Sequence, residues 1–508
     1  MGGPPPNNIV DGRVHICIHP QCGACGQLFL PDDRIYAHLC RPELGICKQD
    51  FKDGLSKEGL SRFWLGATWR YAWREMKPLE LPSYSAFPPP HIISKICGVH
   101  KVLPPEIVTM IQSYFQPNVL WRLCSIFQLM EELNSAKAHE AITCSLSKVL
   151  YWSRGSVPKF VESEQTAGLY VCLKIDSRGI KSIERISKSS ANDEFHGSEH
   201  PHVFIIELAE TIKTINVEFQ LGMSRLHIPE SSKLSIWSAP MPIKNFLHLQ
   251  RFQRKVHLPR SPSSPRFVAI NLDPRYCTGL SFFINGRSIV YIHGHGKKSF
   301  PAFETYGNLN DFYKGDLVWT YIPLTAEDKI NEICVRRYSR TESAFTITDE
   351  HPLLIHDILS GDPISYIGLN TKPKMITRGF ITPKKSPLAF GCFSSAWLEN
   401  VQNIFVFTDD STKLCKGIMI EYSNGLKRAL GQCRKGLDSV QEYKRPLKLS
   451  YATYRSLCGL YKNVYVSFDL ENDLHLRDKK LSWKHYEMRG QLSFWFTAHD
   501  VALRVSQD

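Results

Sequence analysis

The chain has 508 residues, too many for one simple core, and its 43% hydrophobic and 22% charged residues are ordinary for a globular protein, which excludes wholesale disorder. Lys and Arg outnumber Asp and Glu, 62 to 49, and the net charge of +13 permits an acidic partner without establishing one. No apolar run is long enough for a membrane-spanning helix, and there is no basic zipper or RNA-recognition signature, so neither membrane nor nucleic acid is an expected partner.

The first residues, "MGGPPPNNIV", have neither the basic nor the apolar region of a signal peptide, and 1–14 read as a disordered Gly/Pro/Asn tail. Pro6 stands where a myristoylation signal needs Ser or Thr. No Asn-x-Ser/Thr sequon occurs, and most of the later cysteines sit in apolar segments such as "WRLCSIF" and "YVCLKI". Both features suit a reducing compartment, so a cytoplasmic or nuclear protein is expected.

Six of the 15 cysteines fall near the start: Cys17, Cys22, Cys25, Cys40, Cys47 and Cys97. In "CGACGQLFLPDDRIYAHLC", Cys22-x-x-Cys25 followed by glycine makes a tight turn that points two thiolates at one place. Zinc then needs a second pair to close a tetrahedron. Three pairs offer themselves: Cys40 with Cys47, His38 with Cys47, or Cys97 with His100. The distant pair is not excluded by loop length, because closure cost grows slowly. A structural zinc on Cys22, Cys25, Cys40 and Cys47 is the leading set, within a Cys-rich module over 15–102. No βαβ pattern surrounds the pair, which argues against a thioredoxin-like redox role.

"GLSRFWLGATWRYAWREM" places Phe63, Trp64, Ala67, Tyr71 and Arg74 at helical spacing, an amphipathic helix whose aromatic stripe is core. "KPLELPSYSAFPPPH" reads as a linker. Residues 103–152 read as a helical unit. Pro104 and Pro105 suit a first helical turn, and Ile107, Met110, Ile111 and Tyr114 follow at i, i+3, i+4, i+7. Pro117 stops that helix and Asn118 caps a second, with Leu120, Leu123, Cys124, Phe127 and Met130 on one side. A third short helix is predicted from Ala136 to Trp152.

From 160 to 508 the texture is β: "GLYVCLKI", "HVFIIEL", "INVEFQL", "RFVAINL", "LSFFING", "SIVYIHG", "LVWTYIP" and later runs are β-branched or aromatic and bounded by turn residues. Asn285-Gly286 and Asn424-Gly425 predict hairpins with type I′ turns, both central residues at φ > 0. The basic stretch "KNFLHLQRFQRKVHLPRSPSSPR" reads as a solvated linker that divides this part near 240–265. The fold class is α+β: a Cys-rich N-terminal module, a short helical unit and a large, mainly antiparallel β region.

No catalytic constellation emerges, so a non-enzymatic protein is expected. His196, His200 and His202 in "EFHGSEHPHVF" suit a polar loop entering a strand. "HGHGKKS" lacks phosphate-loop spacing, "GCFSSAW" is not a nucleophile elbow, and "TDDSTKLCKG" lacks calcium-loop spacing.

Taken in order, "CGACGQLFLPDDRIYA", "WRYAW", "LPPEIVTMIQSYFQPNVLWRLCSI" and "GIMIEYSNGLKRALGQCR" resemble a group of large fungal F-box-like proteins with an N-terminal Cys-x-x-Cys-Gly segment and a β-rich C-terminal part. The resemblance spans most of the chain through loose motifs. It implies a helical bundle whose apolar face docks on the Skp adaptor of a cullin ubiquitin ligase, with Leu103, Pro104, Ile107 and Ile111 at that face. The β part would select a protein or glycan ligand. The family's basic, Trp-containing third part has no clear counterpart after Ser125.

Overall fold

The computed structural model describes residues 8–10, 13–15, 22–26, 29, 35–38, 41–47, 57–69, 90–99, 102–104, 106–108, 110, 119–135, 140–162, 169–176, 178–186, 202–229, 232, 234–240, 248–251, 266–286, 288–296, 301–309, 311–328, 330, 332–336, 342–346, 352–358, 363–369, 386–388, 391–455, 462–469, 472–473 and 481–506. The architecture is α+β with a large β region and few helices. The chain forms two compact units, one of Met1–Ser190, His200–Met241 and Pro262–Ser264, the other of Ala191–Glu199, Pro242–Ser261 and Pro265–Asp508. Among the described residues no helix is long and apolar enough to cross a membrane.

In the first unit Asn8–Val10 pairs with Arg13–His15, so the stretch read as a disordered tail holds a strand pair, and Ile35–His38 pairs with Arg41–Cys47. Helices α1 (Lys57–Trp69), α2 (Pro90–Ile96) and α3 (Val119–Ser135) follow. Phe63, Ala67 and Trp69 of α1 pack against Ile126, Leu129 and Leu133 of α3, together with Cys22, Ala24 and Cys25. Gly66 is needed at this crossing, since a Cβ there would stand 3.0 Å from Leu133 Cδ1. The Cys-rich start is therefore part of the helical core and not a separate module. The sequence reading ran the Trp-rich helix past Trp69, but Tyr71 and Arg74 lie outside the described residues. It also missed α2: Pro90 and His91, read as linker, open this helix, where a proline lacks no needed hydrogen bond.

The third predicted helix is absent. Residues 136–139 lie outside the described residues, and the rest of that stretch is strand β1 (Ile142–Ser145), a 3-10 turn at Leu146–Lys148 and strand β2 (Val149–Ser153). β1 pairs with the distant strand Asn216–Gln220, Cys144 opposite Val217, and this long-range pairing overrides local helical spacing. The β region thus begins near residue 142, not 160. Beyond β2 come β3 (Tyr170–Asp176), β4 (Gly179–Ile186) and β5 (Val203–Leu208). These form an antiparallel sheet in the order β5, β3, β4, β2. Alternate residues Val171, Leu173 and Ile175 enter a core with Trp152, Ile183, Ile205 and Phe219. Each such fully buried aliphatic side chain contributes about 1.5–3 kcal/mol.

Charge joins α3 to this sheet. Arg178, in the β3–β4 turn, donates to Glu132 and Gln128 of α3. Its N–H also donates to Asp176 Oδ1 at 2.8 Å, and Asp176 takes a two-pronged pair from Arg154 at 3.0 and 2.7 Å. Burial alone would raise the Asp176 pKa, but Arg154 and Arg178 outweigh it and hold the carboxyl below its usual range.

In the second unit, strands β6 (Gly279–Asn285), β7 (Ser288–His295) and β8 (Leu317–Pro323) form one sheet, with β6 central. Three further sheets enclose a second core. They include β9 (Cys392–Trp397), β10 (Val401–Thr408), β11 (Cys415–Tyr422), β12 (Lys427–Gly431), β13 (Gln491–Phe496) and β14 (Val501–Ser506). Ile404, Val406, Ile418, Ile420, Leu430, Leu492, Phe494 and Val501 meet in that core. Ile418 and Ile420 share a face, as alternation predicts.

Both Asn-Gly hairpins form, but neither Asn285 nor Asn424 takes the φ > 0 position predicted for it. Asn285 pairs with Ser288 as the last residue of β6, and only Gly286 of the Asn-Gly pair has φ > 0, at 58°. The Asn285 amide instead donates to Tyr313 O at 3.1 Å, which holds it in the strand. At Asn424, Gly425 N–H donates to Tyr422 O and Tyr422 N–H to Leu426 O, both at 2.9 Å. This is a three-residue loop that ends on Gly425 at φ 83°.

Gly425→Val should lower stability by about 1–2 kcal/mol in urea unfolding, because a β-branched residue resists this φ. A Cβ there meets nothing within 4 Å, so the cost is backbone strain and Gly425→Asn should recover most of it. Arg154→Met should cost about 3 kcal/mol, since it leaves Asp176 a buried charge. The lowered Asp176 pKa contributes stability above the unfolded Asp value, lost as pH falls through the lower folded one. Below about pH 4 the parent should therefore weaken with acid, and Asp176→Asn should show less of that slope in melts taken across pH.

Candidate functional site

Three places concentrate chemistry or exposed surface. The first is the Cys22–Cys25 turn. Cys22 is fully buried and Cys25 nearly so. Gly26 N–H donates to Cys22 O at 2.8 Å, Gly26 takes φ 72°, and Cys25 N lies 3.5 Å from Cys22 Sγ. A backbone N–H aimed at a sulfur favours the thiolate, the form that binds zinc. The turn thus has the local geometry of half a metal site. Cys40, Cys17 and His100 lie outside the described residues. Cys47 stands opposite Ile35 and His38 opposite Arg41, at opposite ends of one hairpin. Cys97 is exposed, just past the end of α2. Among the described residues no group of three His, Cys, Asp or Glu could hold a metal.

The second place is the segment after α2. Ile92, Ile93, Val108 and Cys124 form a small core, with Leu103, Leu120 and Phe127 packed against it. Leu103 is anchored further by its N–H, which donates to Ser94 Oγ at 3.0 Å. It therefore belongs largely to the protein's own packing and not to an outward face. On the other side, Val99, Val102, Pro104, Ile107 and Met110 are exposed, Val102 by 64%, Met110 by 54% and Ile107 by 39%. Ile107 and Val108 N–H both bond Pro104 O, so the helical turn starts at the prolines as predicted. Neighbouring residues 107 and 108 then point to opposite sides, one out and one in. Ile111 lies outside the described residues.

The third place was missed by sequence reading. In "HGHGKKS", His293 to His295 are the end of β7, where alternation puts His293 and His295 on one side of the sheet. Ser281 Oγ lies 2.7 Å from His295 Nε2 and accepts Trp319 Nε1–H at 2.8 Å. Thr305 Oγ1 lies 2.8 Å from His293 Nδ1, and the His295 ring contacts Tyr321 edge-on at 4.8 Å. Burial first, then His293 and Lys435, push the His295 pKa down to about 3. Burial, with Cys433 and Cys277, takes Tyr321 up to about 12. A serine beside a neutral imidazole has the outline of a nucleophile and base. Ser281, however, is completely closed to solvent and its oxygen already holds the indole N–H. The cluster is a buried polar layer between β6, β7 and β8. His-x-His at strand period was the legible signal; its serine partner came from register across strands.

The other loops considered are structural. Asp409 Oδ1 accepts the N–H and hydroxyl of both Ser411 and Thr412, which overcome burial and bring the carboxyl to about 2. "GCFSSAW" contains β9. His202 is buried, while His196 and His200 lie outside the described residues. Comparison with protein-family models and with curated proteins gives no match.

His356 is buried with its ring nitrogens 3.1 Å from Asp357 O and Ile292 O, and burial brings its pKa to about 4. Both His295 and His356 should therefore stay neutral in proton NMR titrations down to about pH 4. The unfolded chain takes up these protons near pH 6.5, as model histidines do, so stability should fall as pH drops below that value.

Proposed function

We propose that this chain is a non-enzymatic receptor of F-box type, which docks on a Skp-type adaptor through residues 99–110 and presents its β-rich part to a ligand. The observation that carries the reading is the exposed row of Val99, Val102, Ile107 and Met110 on a segment whose other side is packed on α3. Four large apolar side chains within twelve residues, rimmed by helices, are what a docking face presents before its partner covers it. Pro104, exposed at the start of the turn, fits the "LPPEI" resemblance. Within this reading Pro104, Ile107 and Ile111 remain the adaptor contacts, joined by Met110, while Leu103 supports them from behind.

A structural zinc completes the proposal. Cys22 and Cys25 supply two ligands from a buried turn, with Cys40 and Cys47 the pair the sequence assigns to close the site. Bound zinc would cross-link the N-terminal segment to the α1–α3 core that the cysteines already touch.

Ile107→Asp with Met110→Asp should remove at least about 2 kcal/mol of adaptor binding, because a carboxylate loses its water at a dry interface. Since both side chains are exposed, the melting temperature should hold. A purified parent that binds no Skp-type adaptor, or a collapsed melt in the double variant, would sink the receptor reading. Elemental analysis of protein purified without chelator should find one zinc per chain, and chelation should lower the melting temperature. A metal-free chain with an unchanged melt rules the zinc out.

A further inference from the structure

The sheet of β9, β13 and β14 has an inner and an outer face. Ala396, Leu492, Phe494, Phe496 and Val501 point into the core. Register places three rows on the outer face: Phe393, Trp495 and Ala502; Ser395, Ser493 and Arg504; Trp397, Gln491 and Ser506. Trp397 is 58% exposed and Phe393 38%. They sit four residues apart on one strand, about 13 Å at the usual rise of about 3.3 Å per residue.

We infer that this outer face binds a linear neutral carbohydrate, with its sugar rings laid on Trp397 and Phe393. The side chains between the two aromatics are hydroxyls, an amide and one guanidinium, and no position of the three rows is acidic. Gln491 Nε2 is within 3.4 Å of Ser395 Oγ, a weak contact that a stronger acceptor can replace. An aromatic face takes the apolar C–H side of a pyranose, while Ser395, Ser493, Gln491 and Arg504 meet hydroxyls at its rim. Trp495, packed 5.2 Å from Phe393, and Ala502 are buried, so the exposed part of this face runs from Phe393 through Ser395 to Trp397. A basic peptide would find no carboxylate here, and an acidic one only the single arginine. A free apolar peptide would leave the polar middle row desolvated without partners.

The Trp397 backbone is held independently of its ring. Its carbonyl accepts Tyr422 O–H at 2.8 Å, and the neighbouring Leu398 N–H donates to Gly490 O at 2.9 Å. The ring can therefore be removed without releasing the turn. This inference does not rest on adaptor docking, which concerns the other unit.

The test uses the full chain, with cellohexaose, chitohexaose and mannohexaose as probes, followed by calorimetry and tryptophan fluorescence. The parent should bind at least one of them, Trp397→Ala should lose about tenfold or more in affinity, and Trp397→Phe should regain part of it. The melting temperature of Trp397→Ala should match the parent. Should that variant unfold, Ser395→Asp decides instead, because a carboxylate between the rings must weaken binding. No binding of any probe at millimolar concentration, or equal binding by parent and variants, overturns the inference.

Discussion

Helix α3 meets partners on three sides, and the first unit is organised around that constraint. Cys124 and Phe127 meet α2, while Ile126, Leu129 and Leu133 meet α1 and the cysteine turn. Gln128 and Glu132 receive Arg178 from the β3–β4 turn. A buried guanidinium loses water worth several kcal/mol, so it must be met by acceptors on the same side. Arg178 therefore fixes the rotation of α3 about its axis, and the two apolar contacts follow. The segment leading to α3 turns Val99, Val102, Ile107 and Met110 outward.

The second unit meets a related constraint with buried hydrogen-bond networks. Gln432 is buried, accepts Trp319 N–H at 3.0 Å and donates to Thr497 O at 3.0 Å, which links β8 to the turn after β13. Ser281, His295 and Trp319 satisfy one another within β6 to β8. Buried Asp473 takes hydrogen bonds from Gln441, Tyr443 and Ser467. Such groups tolerate burial only when each has a partner, so they specify one register among the many that apolar residues would accept.

The candidate surfaces were legible to different degrees. Cys22-x-x-Cys25-Gly was readable because a turn of five residues is local chemistry, and the structure keeps both sulfurs buried within it. The outward row was half readable. Helical spacing grouped Ile107 with Met110, but could not tell a stripe facing the core from one facing solvent, and Val108 turned out to hold the inner side. Leu103 was assigned outward because its motif suggested it, and Ser94, nine residues earlier, drew it in. Trp397 was unremarked: one tryptophan in "GCFSSAW" has no periodic signal, and its exposure follows from which side of β9 Ala396 fills.

Although it read His248–Arg251 as solvated linker, where a strand pairs with Tyr366–Leu369, sequence alone determined many of the strand runs after residue 160, the positions of both Asn-Gly hairpins and the presence of the α1 and α3 helices. These follow from side-chain period and from glycine's freedom at φ > 0, which are properties of a few consecutive residues. Tertiary structure decided that Ile142–Ser145 and Val149–Ser153 are strands, that Asn285 stays in its strand, and that the N-terminal cysteines join the helical core. Each of these turns on a partner far along the chain: Val217 opposite Cys144, Tyr313 beside Asn285, Leu133 in one core with Cys22. No local pattern encodes such a partner, because the free energy that selects it exists only once both surfaces are brought together and leave water.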